Sequence, residues 1–193
     1  MKRTIWMIMI GFTLLVLSAC GQEEAIENPL NYDIGDFTFT DQNNEPLSLK
    51  DLEGKVWLAD FIFTSCEDVC MPMTANMNRL QAMAKEEGIE NIEFVSFSVD
   101  PTVDTPEVLL EYGEQYNADF SNWHFLTGYD QAEIEKFAAD SFKALVKKPQ
   151  SGDQVIHGTK YYLVDKEGTV MKDYDGVSEV PFEQIIEDMK KLQ

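Results

Sequence analysis

Two cysteines stand four positions apart, Cys66 and Cys70, in the stretch Phe61-Ile62-Phe63-Thr64-Ser65-Cys66-Glu67-Asp68-Val69-Cys70-Met71-Pro72-Met73. The chain has one further cysteine, Cys20, and two histidines, His124 and His157. Closely spaced thiols form a structural disulfide, cycle between thiol and disulfide, or hold a soft metal ion. If both cysteines were helical, their Cβ atoms would lie about 5–6 Å apart, whereas a disulfide wants roughly 3.5–4.5 Å. A metal ion between two sulfurs tolerates the wider gap, so the spacing leans toward metal without excluding a redox pair. A permanent staple gains little, because closing so short a loop removes little chain entropy. Pro72 suits the first turn of a helix. Both sulfurs then sit at the positive end of that helix, where thiolate is favoured.

A metal site needs more donors than two sulfurs. His124 lies mid-strand in Trp123-His124-Phe125-Leu126 and reads as a half-buried structural histidine. His157 precedes Gly158 and the strand-like Tyr161-Tyr162-Leu163-Val164-Asp165, and is the better candidate. Two thiolates and an imidazole suit copper: thiolate is soft enough for Cu(I), and imidazole serves both oxidation states. Structural zinc would want a fourth ligand. Met71, Met73 and Met77 are soft side chains nearby, but the helical spacing of Met73 and Met77 reads as core. Asp100 and Asp104 flank Pro101-Thr102-Val103. They read either as loop acids capping the next helix or as a rim beside the thiols.

The elements that must position these groups alternate. A hairpin turns at Gln42-Asn43-Asn44, and 55–63 is a continuous apolar run of buried-strand length. Residues from Met73 to Gly88 have helical spacing, and 92–99 is a second buried strand. Thr105-Pro106 caps and opens a helix, 122–128 is a short strand, and Asp130 caps an amphipathic helix. A polar loop at 147–154, a hairpin turning at Lys166-Glu167-Gly168 and a closing helix from Pro181 complete the chain. This order predicts an α/β domain with a central mixed sheet flanked by helices. A thioredoxin-like fold has it, with cysteines where a central strand meets its helix and with the segment entering the 161–165 strand passing close by.

The first residues read as an address. Lys2 and Arg3 precede an apolar run to Leu17, too short for a full membrane span. Leu17-Ser18-Ala19-Cys20 resembles a bacterial lipobox, which predicts a signal peptide over 1–19, lipidation at Cys20 and a polar tether over 20–35. The folded domain is then 36–193, held by lipid at the extracytoplasmic face of the cell membrane, where disulfides persist. A net charge of −20, from 15 basic and 35 acidic residues, excludes nucleic acid as a partner.

Together, Cys66-Glu67-Asp68-Val69-Cys70, Ser98-Val99-Asp100-Pro101 with Asp104-Thr105-Pro106, Trp123 to Gly128, and His157 ahead of Tyr162-Leu163-Val164-Asp165 resemble the Sco (synthesis of cytochrome c oxidase; SenC-like) family. The resemblance implies a thioredoxin-like, membrane-tethered protein that binds copper through Cys66, Cys70 and His157. It implies a role in assembling the dinuclear copper A centre of cytochrome c oxidase subunit II. That role takes one of two forms: copper delivery, or reduction of the subunit II cysteines by a Cys66–Cys70 thiol–disulfide couple that some reductant partner restores. A peroxiredoxin-like peroxidase or redox sensor is the remote alternative, since Phe-Thr-Ser-Cys resembles a peroxidatic turn. The chain departs from the family in having Glu67 after the first cysteine and Met71 before Pro72, where prolines are usual.

Overall fold

The computed structural model describes residues 26–193, apart from Glu67 and Asp153. The leader, Cys20 and the start of the tether lie outside the described residues. Among the described residues no helix is long and apolar enough to cross a membrane.

Among the described residues, ten strands and four longer helices follow the predicted alternation. Strands β1 (Tyr32–Asp33), β4 (Val56–Ile62), β5 (Ile92–Ser98), β6 (Trp123–Leu126), β9 (Lys160–Val164) and β10 (Thr169–Asp175) form one sheet in the order β1-β10-β9-β4-β5-β6. Strands β4, β5 and β6 run parallel, while β9, β10 and β1 are antiparallel to their neighbours. The sheet is therefore mixed, and the fold is thioredoxin-like. Two small hairpins stand apart: β2 (Thr38–Thr40) with β3 (Pro46–Ser48), and β7 (Val146–Lys147) with β8 (Ile156–His157).

Both faces of the sheet are covered, which is why β4 and β5 are buried along their whole length. Side chains alternate between faces. Trp57, Ala59 and Phe61 pack with Phe39, Phe97 and Phe142 on one side. Val56, Leu58 and Ile62 pack on the other under helix α1 (Cys70–Glu86), through Met73, Met77 and Leu80. Helix α2 (Pro106–Gln115) joins that second layer through Leu109 and Tyr112, and helix α4 (Phe182–Lys191) through Ile185, Ile186 and Met189. Helix α3 (Gln131–Phe142) covers the first face with Ile134, Ala138 and Phe142. The caps expected from sequence form: Thr105 accepts from Val108 N, and Asp130 from Glu133 N.

Strand β6 would be an open edge, and the first hairpin closes it. Thr40 and Thr127 exchange backbone hydrogen bonds of 2.9 and 2.8 Å, and the Gln42 side chain accepts from Phe125 N at 2.8 Å. Gly128, at φ +86°, makes this possible, because a Cβ there would lie 2.5 Å from the Thr40 hydroxyl.

Two details differ from the reading of the sequence, and the start of helix α1 agrees with it. Tyr32–Asp33 pair with β10 and Ile34 is buried, so ordered structure begins inside the stretch read as tether. Helix α1 starts at Cys70 with Pro72 in its first turn, as expected, where a missing N–H removes no helical bond. The loop read at 147–154 is the connection of the β7–β8 ribbon.

Candidate metal centre

The two cysteines occupy the junction between β4 and α1. The chain leaves the sheet through Phe63 and turns, with Cys66 N donating to Phe63 O at 3.3 Å. Helix α1 has no side-chain cap of the usual oxygen type. Instead Cys70 N donates to Cys66 Sγ at 3.4 Å, so a sulfur takes the place of a capping oxygen. Both residues are buried free thiols. Thr74 Oγ donates to Cys70 O and meets the Tyr112 hydroxyl at 2.7 Å, which ties this turn of α1 to α2.

Asp104 braces the loop from below. It accepts from Thr64 Oγ1 at 2.6 Å, from Thr64 N at 3.3 Å and from Ser98 Oγ at 2.5 Å. Asp100 accepts from Thr102 Oγ1 and from Lys148 Nζ, the latter at 2.6 Å. Both carboxylates are buried rather than exposed, and Thr105 rather than either acid caps α2; the sequence leaves a cap and a rim beside the thiols as alternatives. The sequence showed two acids in a loop. It could not show that the Thr64 amide and the Lys148 ammonium reach back to them.

His157 arrives from the other side, on β8, where it pairs with Val146. Its Nδ1 lies 2.8 Å from Gly158 O. A carbonyl only accepts, so Nδ1 carries the proton and Nε2 presents its lone pair. That Nε2 faces Cys70 Sγ at 3.3 Å. Phe63 stands edge-on to the imidazole, with ring centres 5.6 Å apart. Burial holds the imidazolium below its ordinary range, although the Gly158 carbonyl favours the charged form. The ring is therefore neutral at pH 7, as a metal ligand must be.

The Cys66 sulfur, the Cys70 sulfur and one His157 nitrogen lie within 4.8 Å of one another, and among the described residues this is the group of side chains able to share one metal ion. The donor set is soft, and its imidazole is already in the ligating tautomer. One expectation needs correcting. Burial pushes the Cys70 thiol up, with the neighbouring Cys66 sulfur adding to the effect, so burial outweighs the helix terminus there. In the metal-free protein the Cys70 proton stays on sulfur, in reach of Nε2, and a metal cation would have to displace it.

The remaining candidates separate cleanly. Met73 and Met77 are core, while Met71 is exposed beside Cys70. His124 is bound to Glu93 at 3.2 Å and plays no part in this cluster. Asp60 was missed: it is fully buried on β4, without a hydrogen-bond partner for either carboxylate oxygen. An acid inside the apolar run Val56 to Phe63 was the available signal. Lys148 and Gln154, which hold the histidine ribbon, carry no such signal in a polar loop.

Known proteins resemble this chain in sequence and fold. A model of the SCO1/SenC family matches residues 27–193. The SCO1 protein homolog of Bacillus subtilis is 52% identical over 93% of this chain and 92% of its own. A SCO1/SenC family lipoprotein of Bacillus anthracis superposes with a TM-score of 0.84 at 55% identity, over 87% of this chain and 99% of that one. BsSco, a cytochrome c oxidase assembly protein with a disulfide switch, gives 0.80 at 53% identity over 86% and 96%. The copper-bound ScoI of Bradyrhizobium japonicum gives 0.68 at 29% identity over 83% and 99%. With two thiols at a strand–helix junction, a histidine brought to them from the far hairpin, and a match over nearly the whole described fold, the chain belongs to the SCO1/SenC family.

Proposed function

We propose that this protein is a copper-binding assembly factor for the dinuclear copper A centre of cytochrome c oxidase subunit II. In this reading it is tethered by lipid on Cys20 at the extracytoplasmic face of the membrane. The observation that carries the reading is the convergence of Cys66 Sγ, Cys70 Sγ and a histidine nitrogen within 4.8 Å. The copper-bound ScoI and the oxidase-assembly role of BsSco support it. Copper supplies a soft cation that favours two thiolates and accepts an imidazole in either oxidation state. Around it the protein's own groups have defined tasks. Gly158 O holds the His157 tautomer, Phe63 limits the ring's rotation, and Asp104 fixes the loop that carries Cys66.

A second form of the role has its own support. Cys66 Sγ sits against the Cys70 amide at 3.4 Å, so the two sulfurs share one turn of chain, and BsSco has a disulfide switch. A Cys66–Cys70 dithiol could reduce a disulfide in subunit II, releasing two electrons and two protons and itself becoming a disulfide that an external thiol reductant restores. His157 separates the two forms, because copper handling needs an imidazole and disulfide exchange does not. The test is a cell carrying His157→Ala, assayed for copper A oxidase activity at ordinary copper levels. Lost activity supports copper handling, and retained activity supports the reductase. If deletion of the whole protein spares copper A oxidase even when copper is scarce, the assembly role is wrong.

A further inference from the structure

His157 has no place in the main sheet. It belongs to a ribbon with two registered pairs, Val146 with His157 and Lys147 with Ile156. So short a ribbon does not hold itself in water. Ile156, 54% exposed, and Lys147 show that its outer side is uncovered. Val146 and the adjoining Val155 are buried in the core beneath it, and a set of polar contacts to three neighbouring elements completes its attachment. Glu135 on α3 uses both carboxylate oxygens on consecutive residues of the ribbon: Oε2 on Lys147 Nζ at 2.7 Å and Oε1 on Lys148 N at 2.9 Å. Lys148 Nζ reaches across to the β5–α2 loop, donating to Asp100 Oδ1 at 2.6 Å and to Thr102 Oγ1 at 3.2 Å. Gln154 Nε2 donates to Ser65 O, next to Cys66, at 3.1 Å.

These contacts are electrostatic in an uneven way. Residues 143–160 contain four lysines and one acid, whereas the whole chain has 15 basic residues against 35 acidic ones. The histidine ribbon is a cationic piece laid on an anionic body. Its two ion pairs also differ. Lys147–Glu135 is open to water on the lysine side and worth little. Asp100 is only 2% exposed in the Lys148–Asp100 pair, where water screens less and the loss of one partner strands a buried charge.

We propose, on the reading that copper is held by Cys66, Cys70 and His157, that Lys148 and Glu135 are positioning residues for His157. They form a clasp that keeps the imidazole arm against the two thiols and whose release leaves a two-sulfur site. The thiols do not depend on this clasp, since they sit on the β4–α1 junction braced by Asp104. His157 is thus a detachable ligand, and the ion pairs, acting on top of the burial of Val146 and Val155, tune how often it detaches.

The test uses the full chain in detergent, with Lys148→Met, Lys148→Arg and Glu135→Gln, and two readouts. The first needs no metal: amide hydrogen exchange of the ribbon, residues 146–147 and 156–157, compared with α1. Lys148→Met is expected to speed ribbon exchange about tenfold or more relative to α1, Glu135→Gln to do so less, and Lys148→Arg to restore protection. The second is titration with copper alone. Lys148→Met is expected to weaken affinity about 10- to 100-fold and to reduce the nitrogen-ligand signature of bound Cu(II). It should have no further effect in a His157→Ala background. Unchanged ribbon exchange in both Lys148→Met and Glu135→Gln overturns the clasp whatever copper does. Equal loss of affinity with and without His157 overturns it too, because the damage would then reach the cysteines. A wild-type protein that binds no copper refutes the copper reading instead, and the exchange experiment still decides the clasp.

Discussion

The two halves of the candidate centre are built in opposite ways. The cysteine half hangs from the most buried part of the molecule, where β4 feeds α1 and the layer of Met73, Met77 and Leu80 fixes the helix against the sheet. The histidine half is a ribbon of two registered pairs outside the sheet, seated on the core through Val146 and Val155 and tied down further by ion pairs. Apolar burial and helical hydrogen bonds give a position that is insensitive to salt and to single surface changes. Ion pairs give one that can be loosened by substitution, ionic strength or acid. The difference teaches that a three-donor site need not be uniformly rigid. Here the thiols are fixed by the core, and the imidazole arm depends in addition on two ion pairs of unequal worth.

The sharpest way to break this comparison is to remove ligands from each half. Cys66→Ala or Cys70→Ala is expected to abolish tight copper binding, since one thiolate and one imidazole make a poor soft site. His157→Ala is expected to abolish binding of Cu(II) while leaving weaker, sulfur-only binding of Cu(I). Isothermal titration with each oxidation state checks this. Retention of tight Cu(II) binding by His157→Ala, or its loss in His124→Ala, would remove His157 from the site.

Next in size is the brace under the cysteines. Asp104 accepts from two hydroxyls and one backbone amide while fully buried. Asp104→Ala strands these donors and is expected to lower stability by roughly 3–5 kcal/mol, with the Cys66 loop losing hydrogen-exchange protection before the histidine ribbon does. Denaturant unfolding at neutral pH measures the first part. A loss below about 1 kcal/mol would mean that solvent replaces Asp104 and that the cysteine half is less fixed than its burial implies.

This asymmetry also explains what the sequence made legible. Strands β4 and β5 were readable because continuous apolar runs have few other uses, and α2 and α3 because Thr105-Pro106 and Asp130 announce helix starts. The placement of Cys66 and Cys70 followed from such local signals. His157 could be picked as the better histidine only through the expected course of the chain, because Val155 to Gly158 carries no periodicity. The bracing role of Asp104, left open between a cap and a rim, was not legible because its partners, Thr64 and Ser98, come from other segments, and long-range hydrogen bonds leave no pattern in sequence. The β7–β8 ribbon was missed for a related reason. Two residues per strand are too few to alternate, and the lysines that hold it look like ordinary loop solvation.

Asp60 tests the buried half at a smaller scale. Burial pushes its carboxyl up to about 7, with Ser96 acting weakly in the other direction. The ordinary value is 3.8, so the folded state keeps a proton that the unfolded chain releases. The contribution to stability is therefore greatest below about pH 4, declines as pH rises toward 7, and is a fixed penalty above that. Asp60→Asn is expected to raise stability at pH 8 by roughly 2–4 kcal/mol and to change nothing at pH 4. Thermal unfolding of both proteins between pH 4 and pH 8 reads the difference. Parallel profiles would show that the charge is compensated in the folded protein and that the core under α1 admits water.

The smallest effect belongs to the exposed end of the clasp. Burial alone would raise the Glu135 carboxyl, but the hydrogen bonds from Lys147 and Lys148 and the Lys147 charge together hold it below its ordinary value of 4.5. Its contribution is thus fully present above that value and is lost as pH falls through the lower folded one. For global stability the pair is worth no more than about 1 kcal/mol, because Lys147 is largely in water. Its effect should be local. As pH falls below the ordinary carboxyl value of 4.5 and through the lower folded one, protection factors of the ribbon amides, corrected for intrinsic exchange, are expected to drop while those of α1 hold. Glu135→Gln should remove that pH dependence, since an amide has no proton to take up. The same ribbon should also lose protection in high salt at pH 7, where screening acts on Lys147–Glu135 more than on the shielded Lys148–Asp100 pair. If ribbon and α1 lose protection together through both titrations, the histidine arm unfolds only with the whole domain, and the two halves of the centre are one rigid unit.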